Sequence, residues 1–139
     1  MAAKIVYDIA AMQCMNLFET LTKAKLKDCI MDEAQAVFVV EQNEIGKAIG
    51  KHGANVKALE RALRKRVKLV EFHHDQQQFT RNLIAPLALQ DYHEEEGVVV
   101  LTAKDLKTRG MLIGRNASHL RAFEAIVQRY FPLKELRVA

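Results

Sequence analysis

The sequence of 139 residues has little of what marks a secreted, membrane or disordered protein. It contains two cysteines, two prolines and no tryptophan, and aromatic residues make up 6% of it. The longest apolar run, residues 83–89, is interrupted by Pro86 and is far shorter than the ~20 residues that cross a bilayer. Near the N-terminus lies an acidic residue, Asp8, and no apolar segment typical of a signal peptide. We therefore expect a cytoplasmic protein without a membrane-spanning segment.

The cysteines and histidines argue against several kinds of site. Cys14 and Cys29 form no C-x-x-C pair and cannot build a disulfide framework, so we expect two buried, reduced thiols. None of the five histidines has the spacing of metal ligands, and we predict no metal and no cofactor. His73, His74 and Asp75 resemble a base with an orienting carboxylate, but adjacent side chains on a strand point to opposite faces. We predict no catalytic residue and no enzymatic activity.

What the sequence does contain is a globular balance of residues with an uneven distribution of charge. Half of the residues are apolar and 27% are charged, which is typical of one ordinary domain or two very small ones. The net charge is −3 for residues 1–45, +6 for residues 46–72, −4 for residues 73–103 and +5 for residues 104–139. The alternating sign indicates a repeat with one basic half in each copy.

An internal repeat with an offset of 64 residues supports this interpretation. The segment G-K-A-I-G-K-H-G at residues 46–53 aligns with G-M-L-I-G-R-N-A at residues 110–117. The identities at this offset pair Gly46, Ile49, Gly50, Ala58, Glu60, Leu69 and Glu71 with Gly110, Ile113, Gly114, Ala122, Glu124, Leu133 and Glu135. The matches cluster around the glycines, which indicates that the glycine segment is the common feature of the two copies.

Each copy is predicted to form the order α-β-β-α-α-β. In the first copy we expect a helix capped by Asp8 with an apolar face of Met12, Met15, Phe18 and Leu21, strands at 26–32 and 36–40, a short helix from Asn43 to Ile49, a helix to about Arg66 and a strand at 67–72. In the second copy we expect a helix at 79–83, strands at 87–92 and 98–102 joined by the turn 94–97, a helix from Asp105 to Ile113, a helix with Leu120, Phe123, Val127 and Tyr130 that ends at Pro132, and a strand at 133–138.

Between the paired helices of each copy lies a turn of the form I-G-basic-x-G/A. Glycine lets the backbone turn sharply and lets a ligand approach it closely. We expect residue 53 or 117 to begin the next helix, whose first amides have no partner within the helix and favour an anion. Lys51 or Arg115 adds a positive charge beside these amides. The turn therefore predicts binding of a phosphate backbone.

A basic stripe follows the first turn. Lys57, Arg61 and Lys65 recur at a spacing of four residues, flanked by Arg64, and lie on a helix face separate from the predicted apolar face. In the second copy Arg121 is the counterpart of Lys57. Basic residues beside glycine turns favour the phosphate interpretation over a plain solvated surface.

The segment I-G-K-H-G at residues 49–53 resembles the I-G-x-x-G signature of a KH domain, a module that clamps single-stranded nucleic acid at a G-x-x-G loop. The predicted order of elements is similar to the type II arrangement of that domain. The segments K-D-C-I-M-D-E at 27–33, V-K-L-V-E-F at 67–72 and F-T-R-N-L-I-A-P at 79–86 are similar to archaeal NusA-like transcription factors. The resemblance implies an α+β fold of two tandem type II KH domains, at residues 1–73 and 74–139.

The resemblance also implies a function. The chain would bind single-stranded RNA and act in transcription elongation or termination. RNA polymerase is an expected partner by family resemblance alone. Two alternatives stay open. One is a KH protein of ribosome assembly or RNA processing, and the other is a protein–protein adaptor whose basic faces contact acidic partners.

The residues that the resemblance assigns to RNA binding lie in the two loops. They are Ile49, Gly50, Lys51, His52 and Gly53 in the first copy, and Ile113, Gly114, Arg115, Asn116 and Ala117 in the second. To these the basic stripe adds Lys57, Arg61 and Arg121, whose positive charge should act on RNA over a longer range. Ala117 stands where the signature has glycine. We expect an alanine at a helix start to cost little conformational energy, and its Cβ to hinder close approach of a phosphate.

Overall fold

The computed structural model describes residues 7–139, which divide into two compact units, residues 7–73 and 74–139, in a mixed α+β fold. The first unit contains α1 (Ile9–Thr22), β1 (Leu26–Met31), β2 (Gln35–Val40), α2 (Ile45–Ile49), α3 (Ala54–Leu63) and β3 (Arg66–Glu71). The second contains α4 (Gln76–Ile84), β4 (Leu89–Glu95), β5 (Val98–Ala103), α5 (Leu106–Ile113), α6 (Ser118–Gln128) and β6 (Glu135–Val138). Among the described residues, no helix is both long enough and apolar enough to cross a membrane.

Each unit has one three-stranded sheet with the same topology. The middle strand pairs antiparallel with the strand before it and parallel with the last strand of the unit. In the first sheet Phe38 of β2 lies opposite Leu69 of β3, and in the second sheet Leu101 of β5 lies opposite Val138 of β6. Both units therefore follow the predicted order α-β-β-α-α-β.

The two copies are not in the predicted register at their last strands. Leu69 of β3 corresponds to Val138 of β6, because each lies opposite an equivalent residue of the middle strand. The offset there is 69 residues rather than the 64 that relates the glycine loops, since the connection from α6 to β6 is longer than that from α3 to β3. Leu133 and Glu135 are not the counterparts of Leu69 and Glu71, and this part of the sequence alignment is wrong.

The core of the first unit lies between its sheet and its helices. The rings of Phe18 on α1 and Phe38 on β2 are fully buried and stack with their centroids 4.5 Å apart. Met12, predicted on the apolar face of α1, is 48% exposed. The buried positions of α1 instead follow a spacing of four through Cys14, Phe18 and Thr22, so the buried face of the helix is rotated from the predicted one.

The two cysteines belong to this core. Cys14 and Cys29 are each 5% exposed, and neither is in a disulfide. Burial raises the pKa of the Cys14 thiol, which keeps the thiol protonated at neutral pH. The prediction of two buried, reduced thiols is confirmed.

Two predicted helix ends of the first unit are wrong, and in both places the backbone has a positive φ. Asn43, expected to cap α2, has a φ of +71°, and the helix begins at Ile45. The helix expected to reach Arg66 ends at Leu63, because Arg64 adopts a left-handed conformation that no helix can continue.

In the second unit the hairpin and the last helix differ from prediction. β4 continues through Glu95, so the turn consists of Glu96 and Gly97, both with positive φ, rather than residues 94–97. These values are typical of a tight two-residue hairpin. α6 ends at Gln128, short of the predicted end at Pro132.

Aspartates begin three of the helices with the same hydrogen bond. The carboxylates of Asp8, Asp75 and Asp105 accept from the backbone N–H three residues ahead, in α1, α4 and α5 respectively. Each bond satisfies an N–H that has no partner within the helix. The caps at Asp8 and Asp105 are confirmed, whereas the cap at Asp75 was not predicted and starts α4 at Gln76, three residues before the expected Phe79.

We expect the Asp105 cap to make stability depend on pH. Hydrogen bonds from Thr108 hold the pKa of the Asp105 carboxyl below its ordinary value. A depressed folded-state pKa stabilises the protein fully above the unfolded-state pKa of about 3.9, and this stabilisation is lost as pH falls through the folded-state value. The wild type should therefore lose stability relative to Asp105→Asn as the pH falls from about 5 to about 2. Urea denaturation at each pH measures the difference between their free energies of unfolding. A constant difference over that range would contradict the assignment.

Candidate nucleic-acid interface

A four-residue loop joins the paired helices of each unit, and three of its four residues have a positive φ. In the first loop the values are +77° at Gly50, +56° at His52 and +73° at Gly53. In the second loop they are +70° at Gly114, +56° at Asn116 and +61° at Ala117. The two loops therefore share one backbone conformation, although glycine is the only loop residue that they have in common.

The residue types explain how the chain adopts this conformation. Gly50 and Gly114 combine their positive φ with ψ values of 173° and 176°, a region essentially confined to glycine. His52 and Asn116 lie in the left-handed helical region, where histidine and asparagine are enriched among side-chain-bearing residues. The pattern G-x-[H/N]-[G/A] is thus a sequence that permits the turn.

A side chain that the sequence analysis missed bridges each loop. Asn55 Nδ2 donates to the Lys47 carbonyl at 2.9 Å, and His119 Nδ1 donates to the Met111 carbonyl at 2.8 Å. Asn55 and His119 are 64 residues apart and so occupy equivalent positions of the repeat, as do Lys47 and Met111. The residue types differ at both positions, so the identities between the two copies do not reveal the bridge.

The bridging side chains lie directly against the first glycine of each loop. A Cβ on Gly50 would stand 2.8 Å from Asn55 Cγ, and a Cβ on Gly114 would stand 2.6 Å from His119 Cγ. Contacts this short do not occur in folded proteins without a shift of the neighbouring side chain. Glycine is therefore required at these positions by space as well as by φ.

Ala117 carries a conformational cost that the sequence analysis did not expect. Its φ of +61° puts a Cβ-bearing residue in the left-handed region, which costs about 1 to 2 kcal/mol for an L-residue other than glycine. The expectation that alanine costs little here is wrong. Space is not the difficulty at the equivalent Gly53, because a Cβ there would meet no atom within 4 Å.

The amides at the start of each second helix are also arranged differently from the prediction. α3 begins at Ala54 and α6 at Ser118, one residue later than expected. The Gly53 N–H donates to the Gly50 carbonyl at 3.2 Å, and the Ala54 N–H donates to the Lys51 carbonyl, which closes a 3₁₀ turn over Lys51–Gly53. The Gly50 N–H is engaged too, because it donates to the Gly46 carbonyl at 3.1 Å. The loop N–H groups that can meet a ligand are those of Lys51 and His52, where a left-handed residue after a right-handed one forms an anion-binding concavity.

Exposed side chains of the loops and helices supply positive charge. Lys51, His52, Lys57 and Arg61 of the first unit are all exposed, and so are Arg115, Asn116 and Arg121 of the second. Each loop therefore carries one full positive charge at its second position and a polar ring or amide at its third. The basic side chains lie on exposed surface, where a phosphate backbone can reach them.

Two of the predicted basic residues are engaged in other contacts. Lys65 is half-buried, and its Nζ donates to the carbonyls of Asp32 and Glu33 at 2.7 and 3.0 Å, so it fastens the turn between β1 and β2 and does not extend the basic stripe. Arg121 pairs with Glu124 at 2.8 Å, which lowers the charge it offers to a ligand. Lys57 and Arg61 are the parts of the stripe that stay exposed.

A glutamate in each unit ties the second helix to the last strand. Glu60 Oε2 accepts from the Val67 N–H at 3.1 Å, and Glu124 Oε2 accepts from the Leu136 N–H at 2.8 Å. Val67 and Leu136 are the second residues of β3 and β6. The identity of Glu60 and Glu124 in the repeat therefore reflects a shared hydrogen bond that fixes the helix next to the loop.

The short helix before each loop has an exposed glycine and an aliphatic residue at its end. Gly46 on α2 and Gly110 on α5 are exposed, and a Cβ on either would meet no atom within 4 Å. Ile49 is 40% exposed at the end of α2, and Ile113 occupies the equivalent, half-buried position on α5. The short helix thus offers accessible backbone and one aliphatic side chain beside the loop.

The residues considered for catalysis and metal binding lie where the second unit begins. Asp75 Oδ2 accepts from the Gln78 N–H at 3.1 Å and caps α4. Within residues 7–139, no three histidine, cysteine, aspartate or glutamate side chains come together as a metal site requires.

A family model and several proteins match this chain. Residues 15–74 match the model of a KH domain. The chain is 32% identical over 127 residues to the "Probable transcription termination protein NusA" of Methanococcus vannielii, covering 89% of this chain and 73% of that protein. It is 27% identical to the protein of the same name from Methanocaldococcus jannaschii, covering 98% of this chain and 76% of that protein.

Further matches cover nearly the whole chain. The protein of the same name from Halococcus morrhuae is 28% identical, with 98% of this chain and 99% of that protein covered. Among solved structures, the crystal structure of APE1850 is similar in fold, with a TM-score of 0.76 and 23% identity over 96% of this chain and 100% of that one.

We expect Gly50→Ala to lower the free energy of unfolding by about 1 to 3 kcal/mol, because alanine is strained at this φ and ψ and its Cβ displaces Asn55. Gly46→Ala is the matched control. It adds a Cβ in open space within helix α2 and should raise the free energy of unfolding by about 0.5 to 1 kcal/mol. Urea denaturation of both variants checks this. Equal stabilities of the two variants would show that the loop does not require Gly50.

We expect Ala117→Gly to raise the free energy of unfolding by about 1 kcal/mol, since glycine removes the strain at a φ of +61° and only part of the gain is lost to unfolded-state entropy. The control Ala125→Gly, at an exposed position inside α6, should lower it by about 1 kcal/mol. Thermal or urea unfolding distinguishes the two signs. A lower free energy of unfolding in Ala117→Gly would mean that Ala117 does not adopt the left-handed conformation.

Proposed function

The chain belongs to the family of archaeal proteins named "Probable transcription termination protein NusA", and on that premise we propose that it binds single-stranded RNA and acts in transcription elongation or termination. The observation that carries this proposal is the conformation of the two loops. Each turns through three positive φ values in four residues and presents exposed backbone beside a basic side chain. That combination is what the KH module uses to clamp a nucleic-acid backbone.

We infer that both units are type II KH domains, at residues 1–73 and 74–139. The family model matches only residues 15–74. The second unit supports the same assignment through its element order, its sheet topology and the backbone conformation of its loop. Residues 1–6 of the first predicted domain lie outside the described residues.

In the proposed mechanism the phosphates lie over the glycine loops. Backbone N–H groups of Lys51 and His52, and of Arg115 and Asn116 in the second loop, donate to phosphate oxygens, and the Lys51 and Arg115 side chains neutralise the charge. Lys57 and Arg61 add positive charge along α3, and Arg121 adds less because it pairs with Glu124. Each neutralised phosphate releases counterions. The logarithm of the association constant for a single strand should therefore fall linearly with the logarithm of the salt concentration, with a slope of about −0.7 for each phosphate contact.

The bases are proposed to lie along the short helix that precedes each loop. Gly46 and Gly110 leave the helix backbone accessible, and Ile49 and Ile113 provide aliphatic contact. An unpaired base can enter such a surface, whereas a base inside a duplex cannot. Binding should therefore favour single-stranded over double-stranded RNA, with about four nucleotides for each loop.

The role in transcription distinguishes this proposal from a KH protein of ribosome assembly. Relatives named for transcription termination support a partnership with RNA polymerase. Affinity purification from the source cells separates the two roles. Recovery of polymerase supports the proposal, whereas recovery of ribosomal particles alone favours the alternative.

We expect Lys51→Asp combined with His52→Asp to weaken RNA binding by about tenfold or more, because two exposed loop residues turn negative where a phosphate should lie. Fluorescence anisotropy with a labelled single strand of about a dozen nucleotides measures the affinity, and a salt series measures the loss of phosphate contacts.

The matched control is Asn16→Asp combined with Lys23→Asp, which makes the same change in charge at exposed positions of α1 and its end. It should retain most of the affinity. If the loop variant is folded and binds as well as the control, the first loop is not the RNA site. If the wild type shows no preference for the single strand over a duplex of equal length, the KH mechanism fails.

A further inference from the structure

The two loops are bridged in the same way by different side chains. Asn55 Nδ2 and His119 Nδ1 donate to the carbonyls of Lys47 and Met111, which lie three residues before the first glycine of each loop. These carbonyls belong to the last turns of α2 and α5, whose C=O groups have no partner further along the helix. Each bridge therefore joins the end of the helix before the loop to the first turn of the helix after it.

This bridge constrains the loop at its first glycine. The donor side chain lies against Gly50 or Gly114, so that a Cβ there would overlap it. Three of four loop residues hold positive φ values, and an unconstrained chain can adopt other conformations at each of them: glycine because it is permissive, His52 and Asn116 because negative φ is lower in energy. A hydrogen bond across the loop shifts this balance toward the observed turn before any ligand is present.

We propose that Asn55 and His119 are positioning residues that hold the glycine loops in their phosphate-binding shape before RNA binds. The inference rests on the proposed function, because the shape matters only if the loops bind phosphate. RNA that binds a preformed loop does not have to order it. The free energy of binding is therefore more favourable by the free energy that ordering the loop would cost. The recurrence in both units with two chemically different donors argues that the bond is the required feature, not the residue identity.

The test removes the donor from the first loop and then restores it. Asn55→Leu keeps the approximate size of the side chain but has no donor. Asn55→His supplies the donor that the second unit already uses at this place. All variants carry Arg115→Asp and Asn116→Asp as a common background, so that RNA affinity reports on the first loop.

We expect Asn55→Leu to bind a labelled single-stranded RNA about fivefold more weakly, which corresponds to one hydrogen bond that the unbound loop has lost. Asn55→His should bind within about twofold of the background protein. Asn16→Leu, the same substitution at an exposed position of α1, should not change the affinity. Amide hydrogen exchange of residues 50–53 in the RNA-free protein should be faster in Asn55→Leu and restored in Asn55→His.

The outcomes separate the positioning role from the proposed function. If Asn55→Leu is folded and binds RNA like the background protein, the positioning role is wrong while the loop remains the RNA site. If the wild-type chain binds no RNA, the proposed function fails and the positioning role fails with it. Should Asn55→Leu not fold, His119→Leu and His119→Asn apply the same test to the second loop, with Lys51→Asp and His52→Asp as the background.

Discussion

The turn between the paired helices requires a positive φ at three of its four residues. The arrangement of the helices in each unit depends on that constraint. Glycine meets it at the first position, where the combination of φ and ψ excludes other residues. His52 and Asn116 meet it at the third, with side chains that tolerate the left-handed region. Because the reversal is so tight, the second helix starts beside the end of the first, and the loop backbone lies next to the basic side chain of Lys51 or Arg115.

A turn this strained persists only where neighbouring contacts hold both of its ends. On one side, Asn55 or His119 binds the preceding helix across the loop. On the other, Glu60 or Glu124 binds a backbone N–H of the last strand, so the second helix cannot pivot on its sheet. These bonds are worth about 1 kcal/mol each, comparable with the cost of one strained residue. The same two anchors are present at the second loop, whose fourth residue is the strained Ala117.

Local signals in the sequence predict the elements and the loops, and contacts between distant residues decide the rest. Asp8 and Asp105 are recognisable as caps because a cap acts within three residues. Asn43 looks like a cap as well, yet its N–H is held by Glu71, 28 residues away, and its φ is positive. Met12 has the right spacing for a buried face, but the strand packed beneath α1 selects a face centred on Phe18 instead. In the site, the glycines are visible from spacing, whereas the bridges at Asn55 and His119 need the folded turn.

The distribution of charge along the chain has a consequence within the second unit. The exposed carboxylates of Asp91, Glu94, Glu95 and Glu96 all lie on β4 and its turn, whereas Arg115 and Arg121 lie at the second loop and on α6. A polyanion is repelled by the first surface and attracted to the second over a distance of about a Debye length. Under the proposed function, the acidic hairpin would therefore direct RNA toward the glycine loop without contacting it. The net charge of +4 is thus the sum of acidic and basic surfaces that lie on different elements of the unit and of the chain.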